Sequence, residues 1–559
     1  MYLCVLCGEI RVSPDGFEAR MPPTQTRSRS VLLPLCLAGG FLVRLIPARL
    51  TFLNPDEVLH YLLSHQSSLA ATYEATLTTA HPPLLILFLH YWQLLGHSEI
   101  VLRFPSLLAG TAFAWVMYLW LKRVLDRSVA LTGLVLFLFS PAIVSVSAEV
   151  RQYAFLLFFA ATSLYFLERA IGDDSAAIML VSAIALYLAL LTHYSSLIFA
   201  LTLGVYALVR LRGSKANGRL IAAWGIGQAG ALAICGFLYY SHIAQLSHSA
   251  LPKQIADTWL RASIFHPGDG HVVVFVASRT VRLFRYLFSN GTIGFLALLV
   301  FLCGLLLLML DHNSQSVDRR PTPRQVALLL SLPFLITAGI AVAGIYPYGG
   351  TRHDVLLSIF AMSGIAVGLG RLKVLQEWQR LAAVGAALAI GNLFPFPTPP
   401  FIKPMNQNRV LMSVAIASMR REALPGSVFL TDYEGGLMLS YYLCPDRVVE
   451  IKTTQTFLHS ACGNYRVIAS SPELWSYDAQ TLPEALREVS QESQAGSGAN
   501  AWLFQAGWID EKQAEWIAEL SRSGCGNPQL FGPNILLCRI KLFAAARKVV
   551  TTLATDWRI

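Results

Sequence analysis

The groups able to do chemistry stand out as four short polar clusters on an otherwise apolar chain. The first is Asn54-Pro55-Asp56-Glu57, with His60 one helical turn after Asp56 and His81-Pro82-Pro83 a loop later. The others are Glu149-Val150-Arg151-Gln152-Tyr153, then Thr192-His193-Tyr194, then the run from Tyr346 through Tyr348, Gly349, Gly350, Arg352 and His353 to Asp354. Carboxylates near imidazoles suit proton transfer, and guanidiniums suit a phosphate. Each cluster also has a purely structural use. Asn54 is a good N-cap, Pro55 fits the first helical position, and Asn-x-x-Glu resembles a capping box with both carboxylates at the favourable end of the helix dipole. Tyr, His and Arg at the ends of apolar segments commonly sit among lipid headgroups.

The elements that must position these clusters are membrane spans. With 559 residues, 55% of them apolar and 14% charged, and a positive mean hydropathy, the chain is too apolar for a soluble protein of its size. Its net charge of +10 comes from Lys and Arg scattered between apolar runs rather than gathered on one face, which argues against nucleic acid and for membrane lipids as partners. Residues 1–30 read as a cytoplasmic tail ending in Arg27 and Arg29, with Met21 as an alternative start. Residues 31–48 read as an uncleaved first span, with Arg44 and Arg49 unusual near its outer end.

The stretch 82–96 contains His90 and Gln93 and is short of the ~20 residues a spanning helix needs, so it reads as an amphipathic helix on the outer surface. Further spans fall at 104–123, 129–147, 153–168, 176–192, 195–211, 220–240, 291–310, 326–345, 355–370 and 381–396, about eleven in all. This parity puts Arg210, Arg212, Lys215 and Arg219, then Arg319, Arg320 and Arg324, then Arg371, Lys373 and Arg380 in the cytoplasm, as the positive-inside rule asks. The same parity gathers the four polar clusters on the outer side, where they suggest a polar cavity.

After Pro400 the composition changes. Strand-like runs at 427–431, 447–451, 465–469, 501–505 and 535–540 mix with helical patterns at 407–423, 483–494 and 511–523, predicting a small outer α/β domain over 401–559. Cys444, Cys462, Cys525 and Cys538 all fall in it, an even number in a compartment that permits one or two disulfides. Cys36, Cys235 and Cys303 lie in apolar runs as small hydrophobes, and Cys4 with Cys7 forms a CxxC that has no second pair. The chain carries no Gly-rich phosphate loop, HExxH or nucleophile elbow.

Taken in order, NPDE, HPPLLILFLHYWQLLGHSEIVLRFPSLLAG, SAEVRQYAFLL, THYSS and YPYGGTRH resemble membrane glycosyltransferases of the GT-C fold. Within that class the chain is similar to the branch holding protein O-mannosyltransferases and lipid A aminoarabinose transferases. The resemblance covers residues 31 to about 400. It implies an α-helical multispan membrane protein of GT-C type, with transmembrane domain 31–400, an outer loop at 49–103 and the small C-terminal α/β domain outside. It implies a bacterial plasma membrane enzyme that moves a hexosyl or pentosyl group from a polyprenyl-phosphate donor to a hydroxyl of a glycan, lipid or protein acceptor, with inversion. Asp56 is then the catalytic carboxylate, with Glu57 beside it. Arg352, Arg151, His81 and His353 would hold the phosphate, and His60, His193, Tyr194 and Tyr348 would line the sugar or acceptor site. His81 stands where such enzymes often have Lys, which makes phosphate contact there weaker or pH-dependent. The phosphate is already a good leaving group, so no cofactor is called for; a divalent cation beside Asp56 is left open.

Two other classes compete. A secondary transporter or lipid flippase would show internal repeats and ionisable groups near the bilayer midplane, whereas no repeat is obvious here and the polar groups sit at span ends. A non-catalytic assembly subunit for envelope polysaccharide would need no base at position 56.

Overall fold

The computed structural model describes residues 24–214, 216–244, 260–311, 319–371, 375–395, 407–444, 448–453, 456–472, 474–477, 480–495, 500–508, 517–518 and 524–540. The tail before residue 24 with Cys4 and Cys7, Lys215, Lys373, the loop at 496–499 and most of the helical pattern expected at 511–523 lie outside the described residues.

Helix α1 (Thr24–Leu50) is followed by three short helices, α2 (Pro55–Ser64), α3 (Leu69–Thr76) and α4 (Leu84–Trp92). A helical bundle follows: α5 (Glu99–Val124), α6 (Arg127–Phe139), α7 (Pro141–Ser147), α8 (Tyr153–Gly172), α9 (Ala176–Leu190), α10 (Ser196–Gly213) and α11 (Gly218–Leu238). It is completed by α12 (Val272–Phe288), α13 (Gly291–Leu310), α14 (Pro323–Val342), α15 (Ser358–Arg371) and α16 (Glu377–Leu393). Among the described residues eight helices are long and apolar enough to cross a membrane, or nine if one bent pair counts as a span, and the chain is an integral membrane protein. The sequence count of about eleven differs for local reasons. One expected span, 129–147, is a broken pair whose halves α6 and α7 meet at 56°, and α9 and α16 end after 15 and 17 residues, short of spanning length. The stretch 82–96 forms only α4 and a short 3-10 turn, Gln93–Leu95, packed on α2 and α3.

The break between α6 and α7 explains Arg44. Pro141 has no N–H to give to the carbonyl of Phe137, so the helix cannot continue. Arg44, fully buried on α1, donates instead to the carbonyls of Phe137 at 3.0 Å and Leu138 at 2.6 Å. Carbonyls left open at the break thereby accept from a buried cation. Arg49, by contrast, is exposed at the span end.

The C-terminal domain is one seven-stranded mixed sheet in the order β2-β3-β4-β1-β5-β7-β6, from β1 (Val428–Thr431), β2 (Val448–Thr453), β3 (Phe457–Cys462), β4 (Tyr465–Ser470), β5 (Ala501–Ala506), β6 (Cys525–Leu530) and β7 (Ile535–Ile540). Strand β1 lies parallel to both β4 and β5; the other pairs are antiparallel. Helices α17 (Arg409–Glu422) and α18 (Tyr433–Tyr442) cover one face and α19 (Thr481–Ala495) the other. The four cysteines, for which the sequence permits one or two disulfides without naming the pairs, form two, Cys444 to Cys462 and Cys525 to Cys538.

This domain is docked onto α2 through a shared core in which Phe52, Leu53, Val58 and Tyr61 pack with Met412, Met419, Phe429 and Met438. Polar contacts fix the register of the junction. Phe52 N–H donates to Gln407 O at 2.9 Å, Tyr442 Oη donates to Glu99 at 2.6 Å while accepting from Leu53 N–H at 2.7 Å, and Arg409 pairs with Glu99.

Candidate active site

Helix α2 starts with the capping box foreseen from Asn54 and Glu57. Asn54 Oδ1 accepts from Glu57 N–H at 3.0 Å, and Glu57 Oε2 accepts from Asn54 N–H at 2.9 Å. Glu57 does more than cap. It is fully buried, accepts from Arg103 Nε at 2.7 Å and Nη2 at 2.6 Å, and accepts from Val150 N–H at 2.8 Å. Arg103 spends its remaining N–H groups on the carbonyls of Ala48, Thr51 and Phe52 at 2.8–2.9 Å. The pair therefore ties the end of α1, the start of α2 and the loop before α8 into one joint. No face of Glu57 is open to a substrate, so the catalytic role expected for it gives way to a structural one.

Asp56 points the other way. Its carboxylate pairs with Arg151 at 3.1 Å and with Arg352, and its side chain keeps 18% exposure. The capping box turns Glu57 inward, and the helical step of about 100° sends Asp56 toward Arg151 and Arg352. Burial opposes the charge on Asp56, but Arg151 and Arg352 outweigh it and hold the carboxyl down at about 2. Arg352 is set by Gly349-Gly350, whose φ angles of +104° and +87° favour glycine and whose backbone lies tight against Arg279 and Arg282 of α12. The Arg352 guanidinium also lies over the ring of Trp508, 5.4 Å from its centroid, in the loop after β5.

Beside the arginines runs a row of imidazoles. His60 Nδ1 meets Asp56 O at 2.7 Å, and its Nε2 meets the Gln152 amide at 3.1 Å; the other end of that amide meets His81 Nδ1 at 3.1 Å. His81, His193 and His353 follow at ring spacings of 6.2 and 6.3 Å, with Tyr153 5.2 Å from His193. Burial, then the charge of Arg151, pushes His60 and His193 down to about 3, and His81 is lowered for the same reasons, so these rings are neutral at ordinary pH. Glu149 has a buried Oε2 with no hydrogen-bond partner among the described residues. Burial, then the nearby Glu57 carboxylate, pushes it up to about 7.

Of the residues singled out from the sequence, Asp56, His60, His81, Arg151, His193, Arg352 and His353 come together here. Tyr348 does not join them: it is buried against α12, with its hydroxyl 2.7 Å from Thr280 Oγ1. Tyr194 keeps a buried hydroxyl without a hydrogen-bond partner among the described residues. Gln152, Glu149, Tyr153 and Trp508 were not singled out as site residues. The first three sit inside a cluster the sequence does flag, whereas nothing local marks Trp508. Among the described residues no group of three or more His, Cys, Asp or Glu side chains is placed to hold a metal ion, and the positions beside Asp56 are taken by two guanidiniums.

With this geometry in place, comparison with known proteins gives the class. Residues 80–240 match the dolichyl-phosphate-mannose-protein mannosyltransferase family. The whole chain is similar in structure to ArnT from Cupriavidus metallidurans in the apo state, with a TM-score of 0.51, 12% identity, and 93% of this chain and 99% of that one covered. ArnT from the same organism bound to undecaprenyl phosphate gives a TM-score of 0.50 at 14% identity, covering 91% of this chain and 98% of that one. No curated protein matches the chain in sequence. The fold is thus of the GT-C type, a multispan helical domain followed by a small sheet domain.

Proposed function

We propose that this protein is a membrane glycosyltransferase that moves a sugar from a polyprenyl-phosphate donor to an acceptor hydroxyl on the outer face of the membrane. The observation that carries the reading is Asp56 held between Arg151 and Arg352 in a chain of GT-C-type fold. The acceptor oxygen attacks the anomeric carbon, the bond from that carbon to the phosphate oxygen breaks, and its electron pair leaves with the phosphate. Arg151 and Arg352 stabilise the negative charge that grows there. While both arginines hold Asp56 it is a weak base; once they turn to the phosphate, its affinity for a proton rises and it takes the acceptor's hydroxyl proton. A single displacement inverts the anomeric configuration.

His193, His353 and Tyr153, packed ring to ring beside the arginines, would form the sugar or acceptor wall. The match to the mannosyltransferase family and the likeness to a protein bound to undecaprenyl phosphate support the donor class. Two disulfides in the sheet domain, beside the site, support the outer face, since such bonds persist in oxidising compartments. The test is purified protein in lipid with a panel of polyprenyl-phosphate sugars, scoring released polyprenyl phosphate. Release that depends on Asp56 and on added acceptor is the expected result. A protein that binds these lipids but releases none, with any acceptor class, contradicts the reading.

A further inference from the structure

The contacts of Gln152 constrain where protons sit in the imidazole row. His60 Nδ1 lies 2.7 Å from a backbone carbonyl, Asp56 O, which can only accept, so Nδ1 carries a hydrogen. If His60 is neutral, its Nε2 is then a bare lone pair. The structure places the Gln152 oxygen toward His60 Nε2 and its nitrogen toward His81 Nδ1, both at 3.1 Å, but only the NH2 can meet a lone pair, so a neutral His60 requires the amide turned over, with its oxygen facing His81 Nδ1. Amide oxygen and nitrogen occupy equivalent positions, so the network fixes which is which. An oxygen there requires His81 Nδ1 to carry the hydrogen, and neutral His81 then shows a lone pair on Nε2. If His60 were doubly protonated, the amide would not turn over and His81 Nε2 would carry a hydrogen instead. The two rings are therefore linked through one amide.

Surroundings select the first state. His60 and Gln152 are each 1% exposed, and the charged neighbours of the row are the guanidiniums of Arg151 and Arg352 and the Asp56 carboxylate already paired to both. The remaining titratable groups facing it are His193 and His353, from the α9–α10 turn and the loop after α14, and Tyr153 at the start of α8. Burial, then the Arg151 guanidinium, disfavours a further cation here, and His60 falls to about 3 accordingly.

We infer that Gln152 is a positioning residue that holds His81 in the Nδ1–H tautomer, so that His81 offers its Nε2 lone pair to a hydroxyl of the sugar or acceptor rather than a donor to the phosphate. The inference rests on the glycosyl-transfer reading for the identity of that hydroxyl, but the tautomer itself does not. It also changes the part His81 plays: the phosphate is left to the arginines, and the imidazole reads a hydroxyl.

Ring-nitrogen NMR on the full-length protein, labelled with 15N-histidine and embedded in lipid, tests the tautomer directly, with His81→Gln identifying the resonances. His81 should show a protonated Nδ1 and a bare Nε2 at neutral pH, and Gln152→Leu should release that preference. Gln152→Glu, which can only accept, should keep His81 in the same tautomer while drawing a second proton onto His60. In turnover assays Gln152→Leu should lower kcat about tenfold with the donor KM unchanged, and Gln152→Glu should retain more of it. A wild-type His81 protonated on Nε2, or a tautomer indifferent to Gln152→Leu, overturns the inference. Absence of any transfer by the wild type, with the NMR pattern as expected, would instead count against the proposed function alone.

Discussion

Asp56 and Glu57 are neighbours with the same charge, yet they sit in two different kinds of site. Glu57 faces a sealed joint in which Arg103 spends its N–H groups on Glu57 and on three carbonyls, and neither side chain is more than 1% exposed. Asp56 lies between two arginines that share its one carboxylate, and Arg151 keeps a buried Nε with no hydrogen-bond partner among the described residues. In the first region charge is matched and closed, as a structural joint requires. In the second there is more cation than anion, which suits a visiting phosphate. Local sequence cannot tell the two carboxylates apart; the difference arises from which helix face each one occupies.

The largest effect should come from breaking the sealed joint. Arg103→Ala leaves Glu57 buried without a cation, and loss of one partner from such a pair costs roughly 3 to 5 kcal/mol. Thermal unfolding in detergent should show a large drop in stability for Arg103→Ala and for Glu57→Ala; near wild-type melting would mean that the joint does not hold the fold. Next in size is the open group. Arg352→Ala should weaken donor binding by about 10- to 100-fold, in line with loss of a charge-assisted bidentate contact, while Arg352→Lys keeps the charge without the fork and should fall between. Donor binding by Arg352→Ala equal to wild type would move the phosphate elsewhere.

Smaller still should be the effect of Glu149, whose carboxyl titrates near 7 in the fold against 4.5 in an unfolded chain. An acid whose pKa rises on folding binds its proton more tightly when folded, so it weakens the fold as pH climbs above 4.5, and the loss levels off above 7. Glu149→Gln removes that loss. Its stability advantage over wild type should be near zero at about pH 4 and largest at about pH 8; an advantage independent of pH would show that Glu149 is not held protonated.

Much of this was readable from the chain because its physics is local. Apolar length marked the helices, the capping box marked the start of α2, and residues of the four polar clusters come together in the fold. What escaped depended on distant partners. Glu57 cannot be assigned without Arg103, 46 residues away and inside the start of a helix. Strand β6 carries Gly526 and Pro528 at an exposed sheet edge, which erases the strand pattern, and β3 is only half buried along its length. Trp508 reaches Arg352 only because the sheet domain docks on α2. The span counts differ where Pro141 breaks a helix and where α9 and α16 are shorter than spanning length.

The central claim, that of two adjacent carboxylates one runs the reaction and the other holds the fold, is tested most directly by the matched pair Asp56→Asn and Glu57→Gln in membrane-inserted protein. Turnover, donor affinity and melting temperature are to be measured on both. Asp56→Asn should lose about 10² to 10⁴ in turnover, the contribution of a general base, while binding donor as well as wild type or better because its arginines are released. Glu57→Gln should show the larger fall in melting temperature and, where it remains folded, turnover within about tenfold of wild type. Asp56→Asn turning over at the wild-type rate, or Glu57→Gln folded and stable but inactive, would contradict the account.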